Sequence, residues 1–289
     1  MVAQGEAGKI TLRSIHIYPV KSCGGIQVDQ ALLTPRGLRH DRRFMLVDTR
    51  GRFVSQRELP ALARLRARLD GARLQLDMTG REECGSLRVP LEPDEGATRQ
   101  VQVWNDEVNA LDLGSPVRAW LRDTLDADLS LVFMPDLTRR QVDTDYAEQG
   151  DVVSFADGFP FLLTSCSSLR ALQARVDTSG SAQQISMERF RANLVIDGAP
   201  AEAEERWQSI RIGGLRFEVR KPCTRCVITT RDQQSGHRAG PEPLRTLSGY
   251  RTWRGKPVFG QNLIGRDSGT LRAGHALVVE SLAQPARTT

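Results

Sequence analysis

Apolar residues recur along this chain mostly at every second position, the spacing of half-buried strands, and only briefly at the helical period. Ile10, Leu12, Ile15 and Ile17 alternate, or nearly so, with polar residues and predict a strand that Pro19 ends. Phe44 to Val47, a turn at Asp48 to Gly51, and then Phe53 with Val54 predict a hairpin. Leu65, Ala67 and Leu69, the pair Asp70-Gly71, and Leu74, Leu76 and Met78 predict a second. Short strands follow in 86–91 and 99–106, so the first part of the chain reads as a small β-barrel or sandwich. The helical period enters at 115–125, where Ser115 can cap, Pro116 suits the first position, and Val117, Trp120, Leu121 and Leu125 share one face. Residues 129–134 read as a strand and 138–160 as a polar loop over a site or between elements. Thr164 or Ser165 caps a second helix, whose first-turn amides form an anion site if a ligand is there; capping alone needs none. Residues 194–196 form a buried strand, 211–219 a hairpin about Gly213-Gly214, 241–251 a short helix, and 255–265 and 274–280 strands. The class predicted is α+β: mainly β, barrel-like, with a few peripheral helices.

Composition narrows the function classes. Of 289 residues, 39% are hydrophobic and 26% charged, as in soluble globular proteins, with room for one large domain or two ordinary ones. The formal charge of +5 is spread among acidic residues without a basic tail or aromatic-interleaved stripe, so no nucleic-acid partner is expected. No apolar run is long enough to span a bilayer and residues 1–10 carry no signal-like apolar region, so a cytoplasmic protein with no membrane partner is expected. Five cysteines, 23, 84, 166, 223 and 226, are too few and too unevenly spaced for a disulfide framework.

Candidate chemistry gathers at KPCTRCVITT, Lys221 to Thr230. Cys223 and Cys226 stand in Cys-x-x-Cys spacing, Val227 to Thr230 read as a strand that fixes Cys226, and Lys221 and Arg225 supply charge favouring a thiolate. A nucleophile or metal ligand and a pair of small buried hydrophobes stay equally open on this stretch alone. Upstream, Lys21, Ser22, Cys23, Gly24 and Gly25 follow a strand end and can cradle an anion, although on this stretch alone an ordinary glycine turn is the better explanation. Arg42, Arg43 and Arg57 flank the first hairpin and offer planar forks for phosphate or a heterocycle. Arg191 and Asn193, two apart on an extended segment, point to one face. Gln261 and Asn262 are available on a later strand.

The motifs YPVKSCGG, HDRRFMLVD with QREL, SFADGFPFLLTSCSSL, RFRANLVIDG, KPCTRCVITT and VFGQNLIG occur in an order that resembles the MOSC family with its N-terminal β-barrel domain. The likeness is to the bacterial YcbX-type proteins and the mitochondrial amidoxime-reducing branch, and it covers almost the whole chain. It implies a MOSC N-terminal β-barrel domain over 8–128 and a MOSC β-barrel domain over 129–285. It further implies a molybdenum cofactor, Mo-molybdopterin, whose metal is ligated by Cys226. Lys21, Ser22, Arg42, Arg57, Arg191, Asn193 and Arg225 fall where the family binds the pterin and its phosphate. Ser165, Thr224 and Asn262, in the same motifs, join them as candidate cofactor contacts, and Asp157 falls near the metal, placed to orient substrate or pass a proton.

The activity implied is an oxidoreductase that reduces N-hydroxylated compounds: hydroxylamines, amidoximes and N-hydroxylated base analogues, in the manner of N-reductive detoxification. With no cysteine after Cys226, electrons are expected from a separate protein, a flavin reductase with a ferredoxin-like or cytochrome partner. The alternative is a carrier that delivers sulfur or cofactor without reductase activity, with a persulfide on the Cys-x-x-Cys pair. Against it, no pyridoxal-phosphate desulfurase segment is recognisable. A zinc site is disfavoured because no histidine lies at ligand spacing. The chain departs from the family's pattern at Ala192, where proline is frequent, and at Phe159, where some relatives carry a small polar residue.

Overall fold

The computed structural model describes residues 9–283, which fold as two β-bodies with helices Ser115–Leu125, Cys166–Thr178 and Leu244–Tyr250 around them. The class is α+β and mainly β. The larger sheet runs in the order Leu277–Leu282, Trp207–Ile212, Leu215–Thr224, Lys256–Gly265, Phe161–Ser165, Leu194–Asp197, Thr11–Ile17 and Ile26–Val28. Thr11 bridges Ala276, and the Leu277 amide donates to the Ile10 carbonyl at 2.9 Å, so the sheet closes on itself as a barrel. Its interior is filled by side chains such as Leu12, Ile15, Phe161, Leu194, Phe217 and Leu263. Phe161–Ser165 and Leu194–Asp197 pair in parallel, and the helix Cys166–Thr178 lies in the connection between them. That helix is capped by Ser165, whose hydroxyl accepts from the amides of Ser167 and Ser168.

The second body joins Phe44–Val47, Ser130–Phe133, Asp106–Asp112 and Ala97–Val103 in one sheet and Leu65–Asp70, Arg73–Met78 and Leu87–Pro90 in another. Between them lies an apolar core that includes Phe44, Leu65, Leu76, Leu121 and Phe133. Pairing crosses residue 128 in both directions. Thr11–Ile17 pairs with Leu194–Asp197 in the larger barrel, and Ser130–Phe133 pairs with Phe44–Val47 in the smaller body. No described helix is long and apolar enough to cross a membrane.

Three local expectations change. Val227–Thr230 is a 3₁₀ turn, not a strand. The Thr229 and Thr230 hydroxyls bond back to the carbonyls of Cys226 and Val227 at 2.9 and 2.7 Å, and these local bonds win over the strand preference of a β-branched run. The helix at 115 is capped at Gly114 without a side-chain bond; Ser115 is already helical, and Asp112 takes the Gly114 amide at 2.9 Å. Asp106–Asp112 is a strand that the sequence reading passes over, because its fully buried residues, Val108, Ala110 and Asp112, sit in a largely polar segment.

Candidate functional site

Where the two bodies meet, a pocket draws its walls from both. One wall is the end of strand Leu215–Thr224. Its pairing with Lys256–Gly265 shifts register between Pro222 and Thr224, which puts Cys223 on a bulge. The Arg225 amide then donates to the Pro257 carbonyl at 2.7 Å, and Cys226 begins the 3₁₀ turn, so both thiols line the pocket. Their cationic partners differ from those expected. Arg225 donates through Nη1 to the Cys223 sulfur at 2.9 Å and through Nη2 to the Phe190 carbonyl at 2.8 Å. Cys226 is served instead by Arg57 from the other body, with Nη2 at 3.3 Å from its sulfur. Lys221 stays out of the pocket: its ammonium packs on the Tyr146 and Phe159 rings at 4.0 and 5.0 Å.

The opposite wall is basic. Arg42 donates to the Asp41 carboxylate at 2.6 Å, to the Asn193 side-chain oxygen at 2.9 Å and to the Arg191 carbonyl at 3.0 Å. Arg191 donates to the Cys23 carbonyl at 2.7 Å. Asn193 also accepts from the Leu162 amide at 3.3 Å and donates to the His16 carbonyl at 3.1 Å, so this amide braces the arginine. The expected extended spacing of Arg191 and Asn193 does not hold, since Arg191 is left-handed after the 3₁₀ turn Met187–Phe190. Ser22, Arg42, Trp104 and Arg191, all along the pocket, take φ of 66°, 49°, 56° and 55°, a conformation that side-chain-bearing residues rarely adopt. Such strain gathers where the surrounding structure fixes a functional group. Burial lowers the pKa of both Lys21 and Arg191.

Lys21 reaches the pocket rim from a buried stem. Its ammonium donates to the Phe155 carbonyl at 2.8 Å and to the Asp157 carboxylate at 2.5 Å, and lies 5.0 Å from the centre of the Phe53 ring. Asp157 also accepts from the Trp104 indole N–H at 3.3 Å. Shelter in the cleft raises the Asp157 pKa, but the Lys21 charge and hydrogen bond outweigh that and hold it well below the usual carboxylate range. The loop carrying Asp157 is pinned by buried Arg140, which donates to the carbonyls of Ser154, Ala156 and Asp157 at 3.0, 2.5 and 3.1 Å.

Ten of the sequence candidates thus line one pocket: Lys21, Ser22, Arg42, Arg57, Asp157, Arg191, Asn193, Arg225, Cys226 and Asn262. Ser165 is buried as a helix cap and Thr224 is exposed on its strand; neither belongs to the lining. Gln261 is buried but absent from the lining. Sequence reasoning missed Phe53 and Trp104, whose rings form the rim, together with Arg140. The left-handed turn between two β-strands at Trp104 leaves no local signal.

Charge decides what fits. Among the lining residues Lys21, Arg42, Arg57, Arg191 and Arg225 face a single carboxylate, Asp157. Among the described residues no carboxylate lies within ion-pair distance of Arg57, Arg191 or Arg225, and the Arg225 Nε is buried without a partner. Such a wall wants an anion with several acceptor oxygens. No three histidine, cysteine or carboxylate side chains gather into a metal cage among the described residues. A metal at Cys226 would therefore take most of its ligands from a bound molecule. A phosphorylated, sulfur-bearing metal ligand fits this donor set.

Comparison with known proteins gives two family matches: the MOSC N-terminal beta barrel domain over residues 9–128 and the MOSC domain over residues 150–278. Mitochondrial amidoxime-reducing component 1 of Homo sapiens is 30% identical over 281 residues, covering 91% of this chain and 81% of the relative. Molybdenum cofactor sulfurase 2 of Culex quinquefasciatus is 32% identical over 285 residues, covering 93% of this chain but 37% of the relative. Molybdenum cofactor sulfurase of Homo sapiens is 30% identical, with 82% of this chain and 28% of the relative covered. The chain spans most of the first relative and about a third of the sulfurases.

Proposed function

This chain belongs to the MOSC family, with the family's N-terminal β-barrel domain, and on that footing we propose that it is a molybdenum-cofactor oxidoreductase acting on N-hydroxylated compounds. The observation that carries the reading is the pocket itself, where a thiol, Cys226, stands beside Arg57 and Arg225, which no carboxylate among the described residues neutralises. When bound, the cofactor would supply two-electron redox chemistry to the pocket. Cys226 would hold the metal. Arg191, Arg42 and Arg225 would hold the phosphate and pterin, and Arg57 would neutralise charge at the sulfur. The net change replaces N–OH by N–H and releases water, using two electrons and two protons.

Asp157 is suited to orient substrate as a fixed anion. An aspartate is ionised at neutral pH and Lys21 lowers its pKa further, which makes it a poor proton donor. The Phe53 and Trp104 rings line the same rim and give a planar substrate something to rest on. Electrons arrive from a separate protein, a flavin reductase with a ferredoxin-like or cytochrome carrier. The test is turnover of an amidoxime or a hydroxylamine with a reduced viologen as donor. The parent should reduce both and Cys226→Ala should lose nearly all turnover; full turnover in that variant, or none by molybdenum-loaded parent, sinks the reading.

A sulfur- or cofactor-delivery role is the second reading. It draws on Cys223, whose sulfur also faces the pocket with an arginine on it, and on the relatives named as sulfurases. Sulfane sulfur found on Cys223 and passed to an acceptor protein, with no reductase turnover, would favour it.

A further inference from the structure

Behind the basic wall lies a residue that touches none of the pocket's free space. Tyr18 is 5% exposed, and the guanidinium carbons of Arg42 and Arg191 each lie 4.3 Å from the centre of its ring. The ring is fixed on every side. Its hydroxyl donates to the Ala192 carbonyl at 3.2 Å and its amide to Asp41 Oδ1 at 2.8 Å, the carboxylate whose other oxygen takes Arg42. A Cβ on Gly25 would stand 2.4 Å from the ring edge, so glycine there is what lets the ring lie where it does. Two like charges are thereby held against one ring, and a carboxylate pairs with one of them. Arg42 has Asp41, while Arg191 has only carbonyl oxygen.

We propose that Tyr18 is a positioning residue: its ring sets Arg42 and Arg191 as a rigid pair of donors for the anionic group of the pocket's ligand. The proposal rests on the cofactor reading above. Guanidinium groups stack flat on aromatic rings, and a stacked arginine has already lost the rotamer freedom that binding would otherwise cost. Leucine keeps an apolar contact there but is smaller and offers no flat face, so Arg42 and Arg191 are left with their hydrogen bonds alone to set their spacing. The hydroxyl contributes an anchor but no contact with ligand, so the ring is the working part.

The probe is inorganic phosphate, titrated into the full chain purified without cofactor, alongside the pterin content of protein purified from a cofactor-making host. Tyr18→Phe should bind phosphate within about twofold of the parent and keep its pterin. Tyr18→Leu, still unfolding cooperatively, should bind about tenfold more weakly and lose pterin. In an Arg191→Leu background, Tyr18→Leu should add little, because the pair is already broken. A folded Tyr18→Leu that binds like the parent, a Tyr18→Phe as weak as the leucine variant, or losses that add in full each overturn the proposal. If Tyr18→Leu does not fold, Arg191→Lys replaces it: lysine keeps the charge but not the flat stack, so phosphate should weaken, and parent-like binding overturns the proposal. A parent that binds neither phosphate nor pterin sinks the cofactor reading together with this one, whereas a binding parent with an indifferent Tyr18 sinks this one alone.

Discussion

The Lys21 ammonium meets Asp157 at 2.5 Å, with the lysine side chain 5% exposed and the aspartate 77% exposed. Shelter in the cleft pushes the carboxyl up and the lysine pulls it further down, so its folded pKa lies below the unfolded one. The stabilisation from this pair is therefore present above the ordinary carboxylate range and is lost only as the pH falls through the depressed folded value. Solvent around Asp157 keeps that contribution small. Lys21→Met removes the pull and leaves the shelter, so the Asp157 carboxyl should titrate at a higher pH than in the parent. Carbon-detected NMR of the carboxyl gives the answer, and an unchanged midpoint would show that Lys21 does not govern it. At this scale the sequence was most legible. Thiols, lysine and arginines carry chemistry whatever their surroundings, and most of those singled out reached the pocket. Which arginine serves which sulfur was not legible, because Arg57 arrives from a different body than Cys226.

Elements decide how firmly those side chains are presented. The 138–160 segment reads as an irregular loop in the sequence, yet Arg140, 4% exposed, ties three of its carbonyls and meets Asp106 at 2.7 Å. A loop that must hold Asp157 in place needs such an internal brace, since it has few ladder hydrogen bonds of its own. Arg140→Ala should cost about 2–3 kcal/mol of stability, read from the denaturant midpoint, because several buried carbonyls lose their donor together. A change below about 0.5 kcal/mol would show that water replaces the guanidinium without loss. The run after Cys226 shows the limit of propensity. Val227, Ile228, Thr229 and Thr230 have strand-forming side chains, but two hydroxyls in bonding reach of their own backbone turn the chain instead. The alternating segments 10–17 and 65–78 were read correctly because each has one face on a core.

On the scale of the molecule the site exists only because two bodies share the chain. The pocket takes Phe53, Arg57 and Trp104 from one and Arg191, Arg225 and Cys226 from the other, and each body draws strands from both sides of residue 128. Such interlocking predicts one cooperative unfolding transition by calorimetry, with the van't Hoff and calorimetric enthalpies equal; two separated transitions would mean that the bodies fold independently. The interlocking was beyond the sequence, since periodicity identifies strands without saying which distant strand completes which sheet.

The central claim is that the pocket holds a molybdenum cofactor through Cys226. The direct measurement is metal and pterin analysis of the protein purified from a host that makes the cofactor, with Cys226→Ser purified alongside. Near-stoichiometric molybdenum and pterin in the parent, with molybdenum falling in the variant, is the result predicted. No molybdenum in either protein from a competent host, or equal molybdenum in both, would contradict it.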